Sequence, residues 1–296
     1  MIVSVCMITY NHEKYIREAI ESVIHQKTDF DFELVIGEDF STDNTKRICQ
    51  VYSEKHPQCI RLLNSEKNLG VIPNFIRTLK SCSGKYIAIC EGDDYWINPF
   101  KLQKQVDFLE NNTNYSLCFH DALILWDNKS KSPEYFCPPN QKETSIINDV
   151  INNWFVPSAS IVFRGIYIKS FPDWLNNIYN GDYALLLLLA SKGKLKYVNE
   201  VMSVYRKNDG ALSAGIGKNY ICINDQIIQL LNLFNDYSEF KYNPLIKKKI
   251  FKLKRERKYL SIRKKFPIYK YLNMQIWIRK TVDILNNILY KSENGY

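Results

Sequence analysis

The sequence predicts an α/β protein with a mixed, mainly parallel sheet flanked by helices and a basic helical extension at its C-terminal end. Three observations support this fold class. Strand-like and helix-like patterns alternate over residues 1–125, as they do in chains that wind a mainly parallel sheet. Several strand-like runs are apolar throughout, which is typical of strands covered on both faces. Polar residues follow these runs directly, at the sheet edge where such folds bind ligands.

Each of the first four predicted strands is followed by a helix-like segment. The first strand spans residues 2–8, and apolar residues then recur at helical spacing from Tyr15 to Ile24, with Asn11 as the predicted helix cap. Further strands are predicted at 32–36, 60–63, 86–90 and 115–125, and further helices at 43–55, 73–81 and 99–110.

The second half begins after a loop at residues 126–150 that contains three prolines. Strand-like runs follow at 159–163, 197–198 and 201–205. A leucine-rich helix begins near Asn180, and two long helices are predicted at 220–235 and 245–290.

Composition narrows the class of protein. The chain has 296 residues, of which 46% are hydrophobic and 24% charged, and these values exclude a disordered chain. No apolar run approaches the ~20 residues that cross a bilayer, and the N-terminus lacks the pattern of a secretory signal. The eight cysteines include no C-x-x-C pair, which argues against a disulfide framework or a zinc site. We expect a protein of the reducing cytoplasm, soluble or at a membrane surface.

The positive charge is concentrated near the C-terminus. The formal net charge is +9, yet residues 1–240 hold 24 Lys and Arg against 28 Asp and Glu, a net of −4. Residues 241–280 hold 15 Lys and Arg against Glu256 alone, a net of +14, interleaved with aliphatic and aromatic residues. This pattern is typical of a helix that lies on an anionic membrane. A solvated helix packed on the domain is an alternative, and nucleic-acid binding is disfavoured because the apolar share is high.

Three acids within four residues, in the stretch Glu91-Gly92-Asp93-Asp94, follow a predicted buried strand. Because these carboxylates repel one another, something positive must offset their charge. Carboxylate oxygens suit Mg²⁺ or Mn²⁺, which proteins often hold with one or two carboxylates plus substrate phosphates. The cluster therefore indicates a metal site that uses a diphosphate-bearing substrate. Acids after strands also serve as turn or helix-cap residues, and for Asp43 we prefer that role.

Four motifs together resemble the family 2 glycosyltransferases of the GT-A fold, which build bacterial capsule, O-antigen and related glycans. They lie at residues 3–11, 38–45, 68–70 and 91–94, and weaker similarity continues through 180–182 and 205–213. The resemblance implies a GT-A domain over residues 1–215, with a nucleotide-binding half at about 1–125 and an acceptor half at about 126–215. Residues 216–296 lie outside the shared pattern, as a helical, basic extension.

The resemblance implies which residues contact the sugar nucleotide. Thr9, Tyr10 and Asn11 would line the nucleotide pocket, with Glu13 at its edge. Asp39 would accept a hydrogen bond from the N3–H of a uracil base. The base or ribose would be bordered by two further residues, Asn68 and Gly70.

The resemblance also implies a metal site. Glu91, Gly92 and Asp93 occupy the family's Asp-x-Asp motif and would face the nucleotide, although Glu91 replaces the first Asp. That first position usually contacts ribose or a metal-bound water, so the replacement leaves the metal site intact. Mn²⁺ or Mg²⁺ would bind through Asp93 or Asp94.

Asp182 matches the acid that deprotonates the acceptor hydroxyl in inverting members of the family. A sugar hydroxyl is a weak nucleophile, so a carboxylate must take its proton as the new bond forms; the alternative use of Asp182 is as a helix cap. Arg206 would stabilise the leaving diphosphate. Many relatives carry His two residues after that Arg, where this chain has Asn208.

The resemblance predicts an inverting, metal-dependent glycosyltransferase that moves a sugar from a nucleotide-diphosphate donor, a UDP-sugar, to a glycan or lipid-linked acceptor. We expect it on the inner face of the cell membrane. A sugar-nucleotide nucleotidyltransferase is an alternative, but its Gly-rich basic loop would stand where this chain has residues 9–13. A non-enzymatic membrane or nucleic-acid adaptor is a third hypothesis, and it would not need the acids at 91–94 and 182.

Overall fold

A computed structural model describes residues 1–127, 131–168, 171–207 and 220–265. The strands are β1 (Val3–Thr9), β2 (Phe32–Glu38), β3 (Ile60–Leu63), β4 (Tyr86–Ile89), β5 (Tyr95–Trp96), β6 (Tyr115–Trp126), β7 (Glu134–Tyr135), β8 (Thr144–Ser145), β9 (Val162–Arg164) and β10 (Lys194–Lys207). The α-helices are α1 (Ile16–Ile24), α2 (Thr45–Lys55), α3 (Val71–Ser81), α4 (Lys101–Asn111), α5 (Ile147–Asn152), α6 (Gly181–Ala190), α7 (Tyr220–Tyr237) and α8 (Asn243–Lys265). Short 3-10 turns lie at Ser158–Ser160, Gly165–Ile168 and Asp173–Asn177.

The strands form a mixed sheet in the order β3-β2-β1-β4-β9-β6-β10-β5. β3, β2, β1 and β4 are mutually parallel, and β10 is parallel to β6. β9 is antiparallel to both of its neighbours, and β5 is antiparallel to β10. β2 and β4 lie on opposite sides of β1, so the winding direction reverses there. In open α/β sheets, ligands bind beyond the strand ends at such a reversal.

Both faces of the sheet are covered, as the apolar strand runs predict. Alternate residues of β1 point to opposite faces, so Val5 joins the cluster under α1, α2 and α4, and Cys6 joins the cluster under α3, α5 and α6. The leucine-rich α6 is buried along nearly its whole length, because it lies between the sheet and further helices. Leu230 and Phe234 of α7 belong to the same core.

The predicted break between two strands near residue 200 is wrong. The sequence suggested two strands at 197–198 and 201–205, but the structure has a single strand, β10. Its pairing with β6 shifts register between Val198 and Val201, which is a bulge. The exposed residues Asn199 and Glu200 lie in the bulge and interrupt the apolar pattern, although the strand continues. The prediction of a helix over 245–290 is met by α8 up to Lys265, and residues 266–290 lie outside the described part of the chain.

Candidate active site

The C-terminal ends of β1, β2 and β4 bring three predicted motifs to one sheet edge. Thr9, the last residue of β1, lies in register with Glu38, the last residue of β2. The amide of Asp39 donates to Thr9 O at 3.1 Å, and the amide of Gly92 donates to Ile8 O at 3.0 Å. The backbone therefore places Thr9, Asp39 and Gly92 side by side.

The loop after β1 is hydrogen-bonded to the loop after β2. Asn11 adopts a left-handed conformation with φ 54°, and its Oδ1 accepts the amide of Thr42 at 2.8 Å. Glu13 Oε2 accepts the amide of Asn44 at 3.0 Å. The prediction that Asn11 caps the following helix is wrong, because α1 begins at Ile16 without a side-chain cap. Asn11 and Glu13 therefore attach the loop after β1 to the loop after β2, and Tyr10 is exposed beside them.

The loop after β3 is attached to the loop after β2 through Asp39. Its Oδ1 accepts the amide of Leu69 at 2.8 Å, and its Oδ2 accepts the amide of Gly70 at 3.0 Å. Asn68 Nδ2 donates to Asp39 O at 3.1 Å. Burial raises the pKa of Asp39, and the two amide bonds oppose that rise. A carboxylate oxygen accepts more than one hydrogen bond, so this fixed carboxylate keeps acceptor capacity for a ligand.

The loop that carries Glu91 and Asp93 packs tightly against the end of β1. A Cβ atom at Gly92 would lie 2.7 Å from Thr9 Oγ1 and 3.0 Å from His12 Nδ1, so a side chain there would force the loops apart. Thr9 Oγ1 and His12 Nδ1 are themselves buried without a hydrogen-bond partner among the described residues. Buried polar atoms without partners cost free energy, and at a pocket they are groups that a ligand can satisfy.

Glu91 links the loop of residues 91–94, called here the acid loop, electrostatically to Asp182. Burial, followed by the negative charges of Asp93 and Asp182, raises the pKa of Glu91 to about 8. Burial also raises the pKa of Asp182, to about 6, while the amide of Tyr183 lowers it. The charge of one group shifts the pKa of another only when the two groups lie near each other. The structure therefore brings the predicted base together with two of the predicted acids.

Packing between helices explains the position of Asp182. It lies in the first turn of α6, after Gly181, where a Cβ atom would lie 2.8 Å from Ile72 Cδ1 of α3. α3 begins directly after the 68–70 motif, so this close approach holds Asp182 beside the nucleotide side of the edge. Ser158 Oγ lies 3.5 Å from Asp182 Oδ2 at hydrogen-bonding distance.

Asp94 and Arg206 face the interior. Asp94 is 1% exposed, and its Oδ1 accepts the main-chain amide of Arg206 at 2.9 Å. The guanidinium of Arg206 donates to Asp93 O at 3.0 Å and pairs with Glu18. It also stacks on Tyr95, 4.3 Å from the ring centroid. In this structure Arg206 attaches the acid loop to α1, and its predicted contact with a diphosphate stays a prediction. Asn208 and residues 209–213 lie outside the described residues.

The acid loop suits a divalent cation whose remaining coordination positions are filled by a ligand. Within the part of the chain that is described, no three His, Cys, Asp or Glu side chains gather as a preformed metal cage. Glu91 and Asp93 nevertheless offer hard oxygen atoms, and the charges acting on Glu91 are negative. Mg²⁺ and Mn²⁺ accept such partial protein sites when a diphosphate supplies the other oxygens. Asp93 is more accessible than Asp94, and the residues present fit the metal.

Sequence reasoning missed three residues at the site. His12 Nε2 lies 3.9 Å from Asp93 Oδ2, and its position directly after the 9–11 motif was the available signal. Glu18 lies one helical turn from Tyr15, but nothing in the sequence linked it to Arg206. Ser158 contacts Asp182 from a 3-10 turn, and no periodic pattern in the sequence indicated that turn.

The chain resembles known proteins over most of its length. Residues 4–171 match the family model described as Glycosyl transferase family 2. An uncharacterized protein of Mycobacterium tuberculosis is 35% identical over 205 residues, which cover 69% of this chain and 58% of that protein. A Bacillus subtilis protein with the provisional name teichuronic acid biosynthesis glycosyltransferase TuaG is 28% identical over 220 residues, covering 72% of this chain and 82% of its own. The match thus spans less than two thirds of the mycobacterial relative.

Solved structures share the fold. TarS of S. aureus, residues 1–349 in complex with UDP-GlcNAc, superposes with a TM-score of 0.58 at 21% identity, over 78% of this chain and 66% of that chain. The mannosyltransferase PcManGT of Pyrobaculum calidifontis, in complex with GDP-Man and Mn²⁺, gives a TM-score of 0.57 at 14% identity over 99% and 88%. These likenesses confirm the predicted GT-A fold with C-terminal helices. The family model, which matches more than half of the chain, shows that the chain belongs to glycosyl transferase family 2.

Proposed function

We propose that the protein is an inverting, metal-dependent glycosyltransferase that transfers a sugar from a UDP-sugar to a glycan or lipid-linked glycan acceptor in surface polysaccharide synthesis. One observation carries this proposal: Asp182 and the acid loop, from separate halves of the chain, act on each other electrostatically through Glu91. An acid loop that holds a diphosphate must lie next to the group that activates the acceptor, because both act on the same anomeric carbon.

On the donor side, Asp39 would accept the N3–H of the base, with Asn68 and Gly70 at its border and Thr9, Tyr10 and Asn11 along the pocket wall. Asp93 would hold Mn²⁺ or Mg²⁺, with Glu91 beside it. Bound there, the ion would neutralise charge on the leaving diphosphate. Asp94, buried and bonded to Arg206, would set the shape of the loop.

On the acceptor side, Asp182 would take the proton of the attacking hydroxyl through its Oδ atoms. Its raised pKa of about 6 suits a general base, because a stronger base removes a proton more readily and is still ionised near neutral pH. Trp154 flanks this position. Its ring stacks on Tyr183 at 6.2 Å between centroids, and the side chain is 43% exposed. An exposed aromatic face next to the base suits the apolar face of an acceptor sugar.

We also propose that α8 binds the inner face of the cell membrane. None of the helices in the described ranges is long and apolar enough to cross a bilayer. One side of α8 packs on the domain through Ile246, Leu253 and Tyr259. Along the same helix, Phe251 and six basic residues are exposed, namely Lys247, Lys248, Lys252, Lys254, Arg257 and Lys258, and Arg257 pairs with Asp225 of α7 at 3.1 Å. The packing of these three residues agrees with the packed-helix hypothesis, and the exposed basic residues support the membrane proposal.

The position of α8 would bring a lipid-linked acceptor to Trp154. Lys249 Nζ donates to Asn152 O at 2.6 Å, which attaches α8 to the last residue of α5. Trp154 follows two residues later. A membrane bound to the exposed basic residues of α8 would then lie on the acceptor side of the molecule. Residues 266–280, the rest of the predicted basic segment, lie outside the described part.

A thermal-shift screen tests the donor and metal. UDP, GDP, dTDP and CDP are compared with and without Mn²⁺, because a ligand that binds only the folded state adds about 2.7 kcal/mol at a concentration of about 100 Kd. We expect the largest shift for UDP with Mn²⁺, its loss in Asp93→Asn, and its retention in the exposed control Asp107→Asn. Equal shifts for all nucleotides, or a metal-independent shift, would contradict the proposal.

Liposome flotation tests the membrane. Vesicles with anionic lipid should bind the protein at low salt and release it at high salt, because screening weakens each basic contact of ~1 kcal/mol. The triple variant Lys247→Glu, Lys248→Glu and Lys254→Glu should not float. A control with the same charge change on other exposed lysines, Lys55→Glu, Lys80→Glu and Lys192→Glu, should float as the wild type does. Equal flotation of both triple variants would rule out membrane binding through α8.

A further inference from the structure

A hollow of about 810 Å³ lies over β6 and β10. Asp121, Cys137 and Tyr197 are buried at its floor, and Tyr135 and Asn199 are exposed at its rim. Its volume lies in the range of small-ligand sites, ~300–1000 Å³. None of the residues predicted to contact the nucleotide lines it, so it is separate from the donor side.

The floor of this β6–β10 hollow is a fixed polar surface. Asp121 Oδ1 accepts the amides of Ala122 and Cys137, each at 2.8 Å. Tyr197 donates to Asn199 Oδ1 at 3.3 Å. Burial raises the pKa of Tyr197, and the nearby charge of Asp121 raises it further, so the phenol stays a hydrogen-bond donor. The hollow thus presents a carboxylate, a phenol and an amide in set positions.

The charges of the hollow argue against an anionic ligand. Among the lining residues that the structure describes, the single lysine, Lys196, is paired with Glu143. Glu200, another lining residue, is paired with Lys104 at 2.6 Å. No lining cation is therefore left for a phosphate, whereas Asp121 and Asn199 can accept hydrogen bonds from hydroxyl groups. Flat apolar surfaces from Tyr135, Pro138 and Pro139 complete a surface suited to a neutral, hydroxyl-rich ring.

One short segment separates the hollow from Asp182. Cys137 Sγ lies 3.5 Å from Phe155 O. The preceding residue, Trp154, stacks on Tyr183, the neighbour of Asp182, and Ser158 reaches Asp182 itself. Residues 154–158 therefore contact the wall of the hollow on one side and the candidate base on the other.

We propose that the β6–β10 hollow is an acceptor subsite that binds a neutral sugar unit of the acceptor glycan, at a unit other than the one that reacts. The assignment to the acceptor rests on the proposed function, whereas the binding of a neutral sugar does not. In this arrangement Trp154 lies between the β6–β10 hollow and Asp182, and the acceptor glycan passes over the Trp154 ring.

Saturation-transfer NMR tests the subsite with neutral methyl glycosides of glucose, N-acetylglucosamine and rhamnose as probes. UDP and Mg²⁺ are present in excess to fill the donor side, because the paramagnetic Mn²⁺ would broaden the glycoside signals. The full-length wild type is compared with Tyr135→Ala and Asn199→Ala, both exposed at the rim. Tyr237→Ala, a half-exposed tyrosine of α7 outside the lining, is the matched control.

We expect saturation of at least one glycoside by the wild type and by Tyr237→Ala. Both rim variants should bind it at least about 5-fold more weakly, the loss of roughly 1 kcal/mol, while their thermal shift with UDP and Mn²⁺ is unchanged. No saturation of any glycoside by the wild type, or equal saturation by the rim variants, overturns the subsite. A wild type that binds a glycoside through the rim but shows no nucleotide shift would overturn the proposed function while leaving the sugar site standing.

Discussion

The charge of Asp182 raises the pKa of Glu91, although the two residues come from different halves of the chain. Glu91 follows β4 on the predicted nucleotide side, and Asp182 lies in the first turn of α6 on the predicted acceptor side. Their interaction means that protonation of the base and occupation of the acid loop are linked. The pH dependence of activity and of ligand binding should therefore report on both groups.

Replacing the base should abolish transfer while leaving the fold intact. Asp182→Asn keeps the size of the side chain and can still accept the amide of Tyr183, but it cannot take a proton. We expect the transfer rate to fall at least about 100-fold, while the thermal shift with UDP and Mn²⁺ persists. The exposed acid Asp173 offers a control, Asp173→Asn, which should keep wild-type activity. A fall of less than about 10-fold in Asp182→Asn would remove this residue from the mechanism, because general-base catalysis contributes more than that.

The wild-type rate should rise with pH through about 6, the pKa to which burial raises Asp182. Below that pH the carboxyl is protonated and cannot accept the acceptor's proton, and above it the ionised form dominates. The profile is measured as kcat/KM, because kcat/KM reports the pKa of the group in the enzyme without bound substrate. A profile that is flat from about pH 5 to about pH 8 would contradict a base with this pKa.

Binding of the metal and nucleotide should release a proton near neutral pH. Burial and the charges of Asp93 and Asp182 raise the pKa of Glu91 to about 8, so Glu91 is largely protonated at about pH 7. A bound cation favours the ionised form and expels the proton, and affinity should therefore strengthen as pH rises from about 6 to about 8. Calorimetry in two buffers of different ionisation enthalpy measures the released proton. Glu91→Gln should release less, and equal release from both proteins would refute the assignment.

Strand direction and local motifs made part of the site predictable from the sequence. Parallel strands end at one edge, so Thr9, Asp39 and Gly92 could be placed together before their contacts were known. The pair of Arg206 and Glu18 could not, because it depends on how β10 lies beside α1 in the folded protein.

Two other features left no usable signal in the sequence. The bond between Ser158 and Asp182 arises from a 3-10 turn of three residues, which is too short to show a periodic pattern. The β6–β10 hollow depends on a bulge in β10, and the apolar pattern showed that bulge as a gap between two strands. Both features are set by packing between distant parts of the chain and not by local preference.

Arg206 should act through the shape of the acid loop. Its guanidinium belongs to a residue that is 7% exposed and contacts Glu18, Asp93 O and the Tyr95 ring. Arg206→Met removes the cation that bonds Glu18 and Asp93 O, and because Glu18 is half-exposed we expect roughly 1–3 kcal/mol of lost stability and weaker binding of UDP with Mn²⁺. Glu18→Gln, on a half-exposed partner, should cost about 1 kcal/mol or less. Urea unfolding measures the free energy of unfolding, and calorimetry measures the affinity for UDP with Mn²⁺. If Arg206→Met keeps wild-type stability and loses only nucleotide affinity, then Arg206 contacts the diphosphate directly.

Trp154 should contribute to acceptor binding without affecting the donor. Its indole N–H donates to Val156 O at 3.0 Å, which fixes the ring against Tyr183 and leaves the opposite ring face available to an acceptor sugar. Trp154→Ala should raise the acceptor KM about 5-fold or more, equivalent to roughly 1 kcal/mol, whereas hydrolysis of the donor by water should be unchanged. Trp154→Phe keeps a flat ring and should recover part of the loss. If Trp154→Ala slows donor hydrolysis as strongly as transfer, then the tryptophan supports the position of Asp182 through Tyr183 and does not contact the acceptor.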